Sequence, residues 1–398
     1  MSPDRFRQEV QTSVRVPGDG KSAVGSATAR ALETVVDLLR RGKSLSVTQA
    51  GVGAAEQTGA GQWLLVQSAG STGVPKIIRR SPASWRTSFE VTRDRFGVGP
   101  KAPYAVLGAM SHSLTLYAVL EAFHIGCDLS VLTGLPPRSQ ARALRENGVQ
   151  VLYATPTQLR LLAAATEAPN QNLRWVFCGG GVLDASTRTE ICEMFPLATV
   201  REFFGASETS FMAISDAQTP PGAVGRAYPG VELCIRDGQG RDTSGIGEIW
   251  VKSPYMFDGY AMGNSPDTRW QGDFLSIGEM GQLDRGGNLT VLGRKSRMVT
   301  VADQNVFPEV VEAQMRAVPG VGPCAAIPVP DPTRGQVIVG VVEGTQDDAL
   351  AGRLQAHCRN VLGAHACPRR IVFVDRLPML SAGKTDLVAL ARNLGQRA

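Results

Sequence analysis

YAVLGAMSHSLTLYAVLEAFHIG, residues 104–126, begins as an apolar strand-like run and continues as a helical pattern. The same change of period recurs on either side. WLLVQ at 63–67, VQVLYAT at 149–155 and LRWVFCG at 173–179 read as strands, and QARALRENG at 140–148 reads as a helix. Strands that alternate with helices predict an α/β architecture with largely parallel strands. After Pro220 the character changes: CIRDGQGRDTSGIGEIWVKS (234–253) and LDRGGNLTVLGR (283–294) place glycine turns between short strands, the pattern of antiparallel hairpins. From Asn305 the order becomes helix (PEVVEAQMRAV), strands (AAIPVP, QVIVGVVE), helix (DALAGRLQAHCRNVL) and strand (RRIVFVD), the outline of a small α+β domain. The sequence therefore predicts a large α/β domain over 1–294 and a small α+β domain over 295–398.

Bulk properties exclude several classes. The 398 residues, 43% hydrophobic and 19% charged, are ordinary for a globular protein with a real core. The net charge of +5 is scattered without a dense Lys/Arg block, so nothing points to nucleic acid. The seven cysteines form no C-x-x-C pair and read as buried thiols in a reducing compartment. The first thirty residues lack a signal-peptide apolar region and no membrane-length apolar run occurs, so the expected location is the cytoplasm.

The strongest chemical signal is LLVQSAGSTGVPKIIRRS, residues 64–81. A hydrophobic strand runs into Ser68, Gly70, Ser71, Thr72, Gly73 and Lys76. Glycines let backbone N–H groups approach phosphate oxygens, hydroxyls add hydrogen bonds, and the lysine adds charge. The spacing does not fit the G-x-x-x-x-G-K-[ST] loop. By itself the stretch could be a plain Gly/Ser turn.

Four further segments follow in order. They are FFGASET at 203–209, GIGEIW at 245–250 with Tyr255–Tyr260, SIGEMGQLDRGGNLTVLGRKSR at 276–297, and PMLSAGKTD at 378–386. Together with the loop, from about residue 60 onward, they resemble the AMP-forming acyl/aryl-CoA synthetase and adenylation-domain superfamily. The resemblance implies that Phe204 stacks on adenine, that Gly205 and Ser207 belong to the motif turn with the Ser207 hydroxyl at the α-phosphate, and that Glu208 helps hold Mg²⁺. It gives Glu279 the ribose position, where the family has aspartate, and Arg294 the nucleotide-contacting arginine. Residues 245–250 and 255–260 read as scaffold. Lys384 matches the family's C-terminal lysine; a cation bridging an attacking carboxylate and an anionic α-phosphate offsets their repulsion. His112 sits where the family commonly has a histidine at the carboxylate pocket, and Gly179, Gly180 and Gly181 match a loop lining the adenine and acyl site.

The resemblance implies an ATP- and Mg²⁺-dependent ligase that converts a small carboxylic acid into its acyl-adenylate, releases pyrophosphate, and transfers the acyl group to a thiol. Coenzyme A is the first acceptor; the phosphopantetheine arm of an acyl carrier protein is the alternative. A third reading is a non-catalytic nucleotide-binding member of the family. Three departures bear on the choice. Only 67 residues precede the phosphate loop, so a flanking subdomain is expected to be shortened and the acid pocket to be open, or completed by a partner or a second subunit. Ser296 stands at the hinge position, where Asp or Lys is common. Val301-Ala302-Asp303-Gln304-Asn305 replaces the family's Gly-Gly-Glu-Asn.

Overall fold

The computed structural model describes residues 6, 12–16, 23–55, 61–68, 76–165, 168–379 and 385–395. They divide into two units. One comprises Met1–Cys234, Trp250–Leu275 and Asp284–Leu289, the other Ile235–Ile249, Ser276–Leu283 and Thr290–Ala398.

The first unit is built on a parallel sheet. Its strands Leu129–Val131, Tyr104–Val106, Val151–Ala154, Trp175–Cys178 and Thr199–Ala206 lie side by side in that order. Helices Ser113–Ile125, Pro137–Glu146, Pro156–Ala165 and Ala185–Met194 connect them. The first three of these strands are buried along their whole length, which is why they read as unbroken apolar runs rather than alternating ones. Leu144, Leu152, Leu159, Leu162, Val176 and Ile191 form part of one core between sheet and helices, each contributing ~1.5–3 kcal/mol of burial. Of the run at 104–110 only Tyr104–Val106 is strand. The chain must then leave the sheet tightly, and a Cβ on Gly108 would come 2.7 Å from Thr115 Oγ1.

The strand of the phosphate-loop stretch departs from the expectation of parallel pairing. Leu64–Ser68 belongs to a separate five-stranded sheet in the order Gly259–Met262, Lys76–Arg80, Leu64–Ser68, Leu45–Thr48, Gly51–Ala54. Only its pairing with Leu45–Thr48 is parallel. KIIRR returns as a partner strand, with Lys76, Ile78 and Arg80 buried on one face. An arginine on that buried face hides the alternation that would have marked the strand.

In the second unit, Cys324–Asp331, Gly335–Glu343 and Arg370–Val374 form a three-stranded sheet. It packs with helices Pro308–Arg316, Asp348–Ala366 and Leu387–Gly395 into two core clusters. The predicted helix from Asp348 continues to Ala366 across a break at Gly363 (φ 82°). Five cysteines are buried as expected, but Cys192 is exposed and Cys234 half-buried. Among the described residues no helix is long and apolar enough to cross a membrane.

Candidate active site

The antiparallel pairing of Leu64–Ser68 with Lys76–Arg80 sets Ser68 opposite Lys76. The Gly/hydroxyl stretch is thus the connection of a hairpin whose two ends are held together. Lys76 is buried in this register. Gly70, Ser71, Thr72 and Gly73 lie outside the described residues, as does Lys384.

The second motif is also a hairpin connection, joining Thr199–Ala206 to Ser210–Ile214 with a register shift between Phe204 and Gly205. A Cβ at Gly205 would overlap the Ser210 carbonyl oxygen, so the close approach requires glycine. Thr209 is fully buried; its Oγ1 accepts the Ala206 N–H at 3.1 Å and closes the turn. Ser207 Oγ meets Ser113 Oγ at 2.9 Å. Glu208 Oε1 accepts from the Tyr260 hydroxyl at 2.9 Å, and the Glu208 carbonyl accepts the Phe257 N–H at 2.8 Å. Burial, with the Glu208 charge second, pushes the Tyr260 phenol above its ordinary range, so it stays a donor. Tyr260 therefore serves the motif carboxylate directly, which amends the reading of 255–260 as scaffold alone.

Arg80 is the residue the sequence reading missed. Its side chain is completely buried. Nη1 donates to Tyr255 O at 2.6 Å and Ser84 Oγ at 3.0 Å, and Nη2 donates to Ser207 O at 2.7 Å. Burial lowers its pKa to about 9, opposed by the charges of Asp258 and Glu208, and it remains a cation at neutral pH. The only sequence signal was an arginine in the inward register of a strand, and that becomes visible only once the strand pairing is known.

Phe203 and Phe204 point to opposite faces of their strand. The Phe203 ring fills the space where a Gly179 Cβ would lie and packs edge-on against Phe211 at 4.6 Å. Phe204 stacks on no other ring among the described residues. Gly179 follows strand Trp175–Cys178 and lies against Phe203, and the chain then bends through Gly180 (φ 86°) and Gly181 beside Thr155 and Pro156. Glu202, held above its usual carboxylate range by burial, braces this bend by accepting the Leu183 N–H at 3.2 Å and pairing with Arg188 at 3.0 Å. His112 occupies the N-cap position of helix Ser113–Ile125, where its exposed side chain makes no capping hydrogen bond.

In the second unit Arg294 Nε lies 3.1 Å from Glu279 Oε1, an ion pair between the two residues the resemblance assigned to the nucleotide. The Arg294 N–H donates to Glu309 Oε1 at 3.3 Å. Gly293 takes φ 143°, where a Cβ would overlap the Glu309 carboxylate. Lys295 pairs with Glu248 at 3.3 Å, and Arg297 with Glu309 at 3.1 Å and Glu312 at 2.8 Å, on either side of Ser296. Ala302 (φ 48°) and Asp303 (φ 62°) form the two-residue turn between Val299–Val301 and Gln304–Val306. Two successive positive φ values are what a type I′ hairpin turn needs, and aspartate tolerates that region better than most residues. The structure thus gathers Gly205, Ser207 and Glu208 with the start of the His112 helix in one unit, and Glu279 with Arg294 in the other.

The profile described as AMP-binding enzyme matches residues 55–261, and that described as AMP-binding enzyme C-terminal domain matches 310–384. The chain is 31% identical over 322 residues to the uncharacterized acyl–CoA ligase YhfT of Bacillus subtilis, covering 80% of this chain and 65% of that protein. It is 25% identical over 329 residues to a 2-succinylbenzoate–CoA ligase of Enterococcus faecalis, covering 80% and 67%. The chain thus spans about two thirds of the length of these curated relatives. Among solved structures, the amide bond synthetase McbA from Marinactinospora thermotolerans superposes with a TM-score of 0.70 at 26% identity, covering 83% of this chain and 69% of that one. The o-succinylbenzoate CoA synthetase of Bacillus subtilis, in complex with an acyl-adenylate, superposes with a TM-score of 0.74 at 22% identity, a likeness of fold.

Proposed function

Because the chain belongs to the AMP-binding enzyme family, we propose that it activates a carboxylic acid with ATP as an acyl-adenylate and passes the acyl group to a thiol. The observation that carries the reading is the turn at 205–209. It holds an acceptor carboxylate, Glu208, one hydrogen bond from Tyr260 and links the Ser207 hydroxyl to Ser113.

The loop of Ser68, Gly70, Ser71, Thr72, Gly73 and Lys76 takes the phosphates, Phe204 the adenine face, and Glu279 with Arg294 the ribose side. Gly179, Gly180 and Gly181 line the base and acyl site, and His112 faces the substrate carboxylate. Glu208 Oε2 accepts no hydrogen bond among the described residues. One hard carboxylate oxygen beside a triphosphate is the donor set that suits Mg²⁺. When bound, that ion neutralises triphosphate charge and favours departure of pyrophosphate. The substrate carboxylate oxygen attacks the α-phosphorus as the bond to pyrophosphate breaks, and Lys384 offsets the repulsion between the two anions. A thiolate then attacks the acyl carbon and AMP leaves.

We place the domain division at Arg294, with 295–398 carrying the lysine, and take coenzyme A as the first acceptor before a carrier-protein arm. The names of the acyl–CoA and 2-succinylbenzoate–CoA ligases support this order. The likeness to an amide bond synthetase makes an amine the competing acceptor. Carboxylate-dependent ATP–pyrophosphate exchange over a panel of aryl and alkyl acids tests the first half-reaction alone. Exchange is expected with one acid class and lost by at least about a thousandfold in K384A. No exchange with any acid, in protein that binds ATP, would favour the non-catalytic reading. Wild-type exchange in K384A would remove the lysine from the mechanism. Offering coenzyme A, a carrier protein and an amine to the accumulated adenylate then separates the acceptors.

A further inference from the structure

A fully buried arginine is costly, and each donor that finds an acceptor offsets part of that cost. Arg80 Nη1 and Nη2 donate to three segments far apart in sequence, at Ser84 Oγ, the Tyr255 carbonyl and the Ser207 carbonyl, while its buried Nε finds no acceptor among the described residues. Its guanidinium also lies over the Trp85 ring, 5.0 Å from the centroid. Arg80 ends the strand that begins at Lys76, directly after the phosphate-loop connection. Ser207 precedes Glu208 in the motif turn, and Tyr255 leads into Phe257 and Tyr260, the two residues that hold Glu208. One side chain therefore joins the hairpin of the phosphate loop, the turn that presents Glu208, and the segment that orients the Glu208 carboxylate.

We propose that Arg80 is a positioning residue for the magnesium–phosphate site, fixing the Ser207–Glu208 turn against the strand that follows the phosphate loop. The inference rests on the adenylation reading above. Lysine could keep the charge, but it lacks the planar fork that reaches the Ser207 and Tyr255 carbonyls together. Loss of such a supporting contact typically weakens metal affinity by about 10–100-fold.

The test is calorimetric ATP binding in Mg²⁺ and in EDTA for wild type, R80K, R80Q and S84A, with the thermal unfolding midpoint of each. Wild type should bind ATP more tightly with Mg²⁺. R80K and R80Q should lose about tenfold or more of that enhancement while binding in EDTA changes little. S84A, which removes a partner of Arg80 that does not belong to the turn, should keep the enhancement. A folded R80K or R80Q with the full wild-type enhancement overturns this proposal alone. Loss of cooperative unfolding in both assigns Arg80 to the core and overturns it too. Wild-type protein that binds ATP without any magnesium enhancement removes the metal role of Glu208, and wild-type protein that binds no ATP removes the function proposed above; either outcome takes the present proposal with it.

Discussion

Replacing Gly205 with alanine would drive a methyl group into the Ser210 carbonyl oxygen across a hairpin whose register is already shifted there. The G205A protein should lose about 3 kcal/mol of stability, measured by urea unfolding, together with its nucleotide affinity. The Tyr260 hydroxyl poses the opposite case. Y260F removes one donor to Glu208 and leaves the ring edge-on to Phe257 at 5.1 Å. Its unfolding midpoint should stay within a few degrees of wild type, while the Mg²⁺ concentration needed for half-maximal exchange rises about tenfold. Gly205 was legible in the sequence because it sits inside a family-like motif of adjacent residues. Tyr260 and Arg80 were not, since their partners lie 52 and 127 residues away. Read locally, an arginine after Ile-Ile-Arg is only a surface charge.

Helix Ser113–Ile125 is buried from Thr115 through Phe123, with Glu121 at zero exposure. Its carboxylate accepts from Tyr153 at 2.8 Å, Tyr104 at 3.0 Å and Tyr117 at 3.1 Å. Burial outweighs these three donors and pushes Glu121 up to about 7. Because the folded state holds the proton more tightly than the unfolded chain, stability falls as pH rises from about 4.5 to about 7, and is level on either side. A shift of that size corresponds to about 3 kcal/mol. The stability of E121Q relative to wild type should therefore improve by up to that amount between pH 5 and pH 8, read from urea unfolding at both. An unchanged difference would mean that the carboxyl titrates at its ordinary pKa. The apolar run that gave away this helix does not reveal the glutamate's surroundings, because Tyr104 and Tyr153 come from two other strands.

Both core clusters of the small α+β region draw only on residues between Val299 and Leu394. A core that closes within one segment of this size is what an independently folding domain requires. Residues 295–398 expressed alone should therefore show a single cooperative thermal transition and a dispersed amide spectrum. A broad, non-cooperative melt would mean that Ile235–Ile249 and Ser276–Leu283, which cluster with this unit, are needed to complete it. Arg297, paired with Glu309 and Glu312, keeps its partners in that piece, whereas Lys295 loses Glu248.

Read alone, the sequence was enough to determine the α/β class and the helix–strand order of the tail as far as Val374, both from the period of apolar residues, but not the last helix, Leu387–Gly395. The motif at 203–209 was legible through its resemblance to a family pattern of adjacent residues. The tertiary structure decided that the phosphate-loop strand leaves the parallel sheet for an antiparallel hairpin. It also decided that Tyr260 holds the motif carboxylate and that Arg80 ties Ser207 to the strand after the loop. Those assignments depend on which distant strands pair and on which side chains lose water together. A buried charge and an exposed one are spelled with the same letter, and only packing tells them apart.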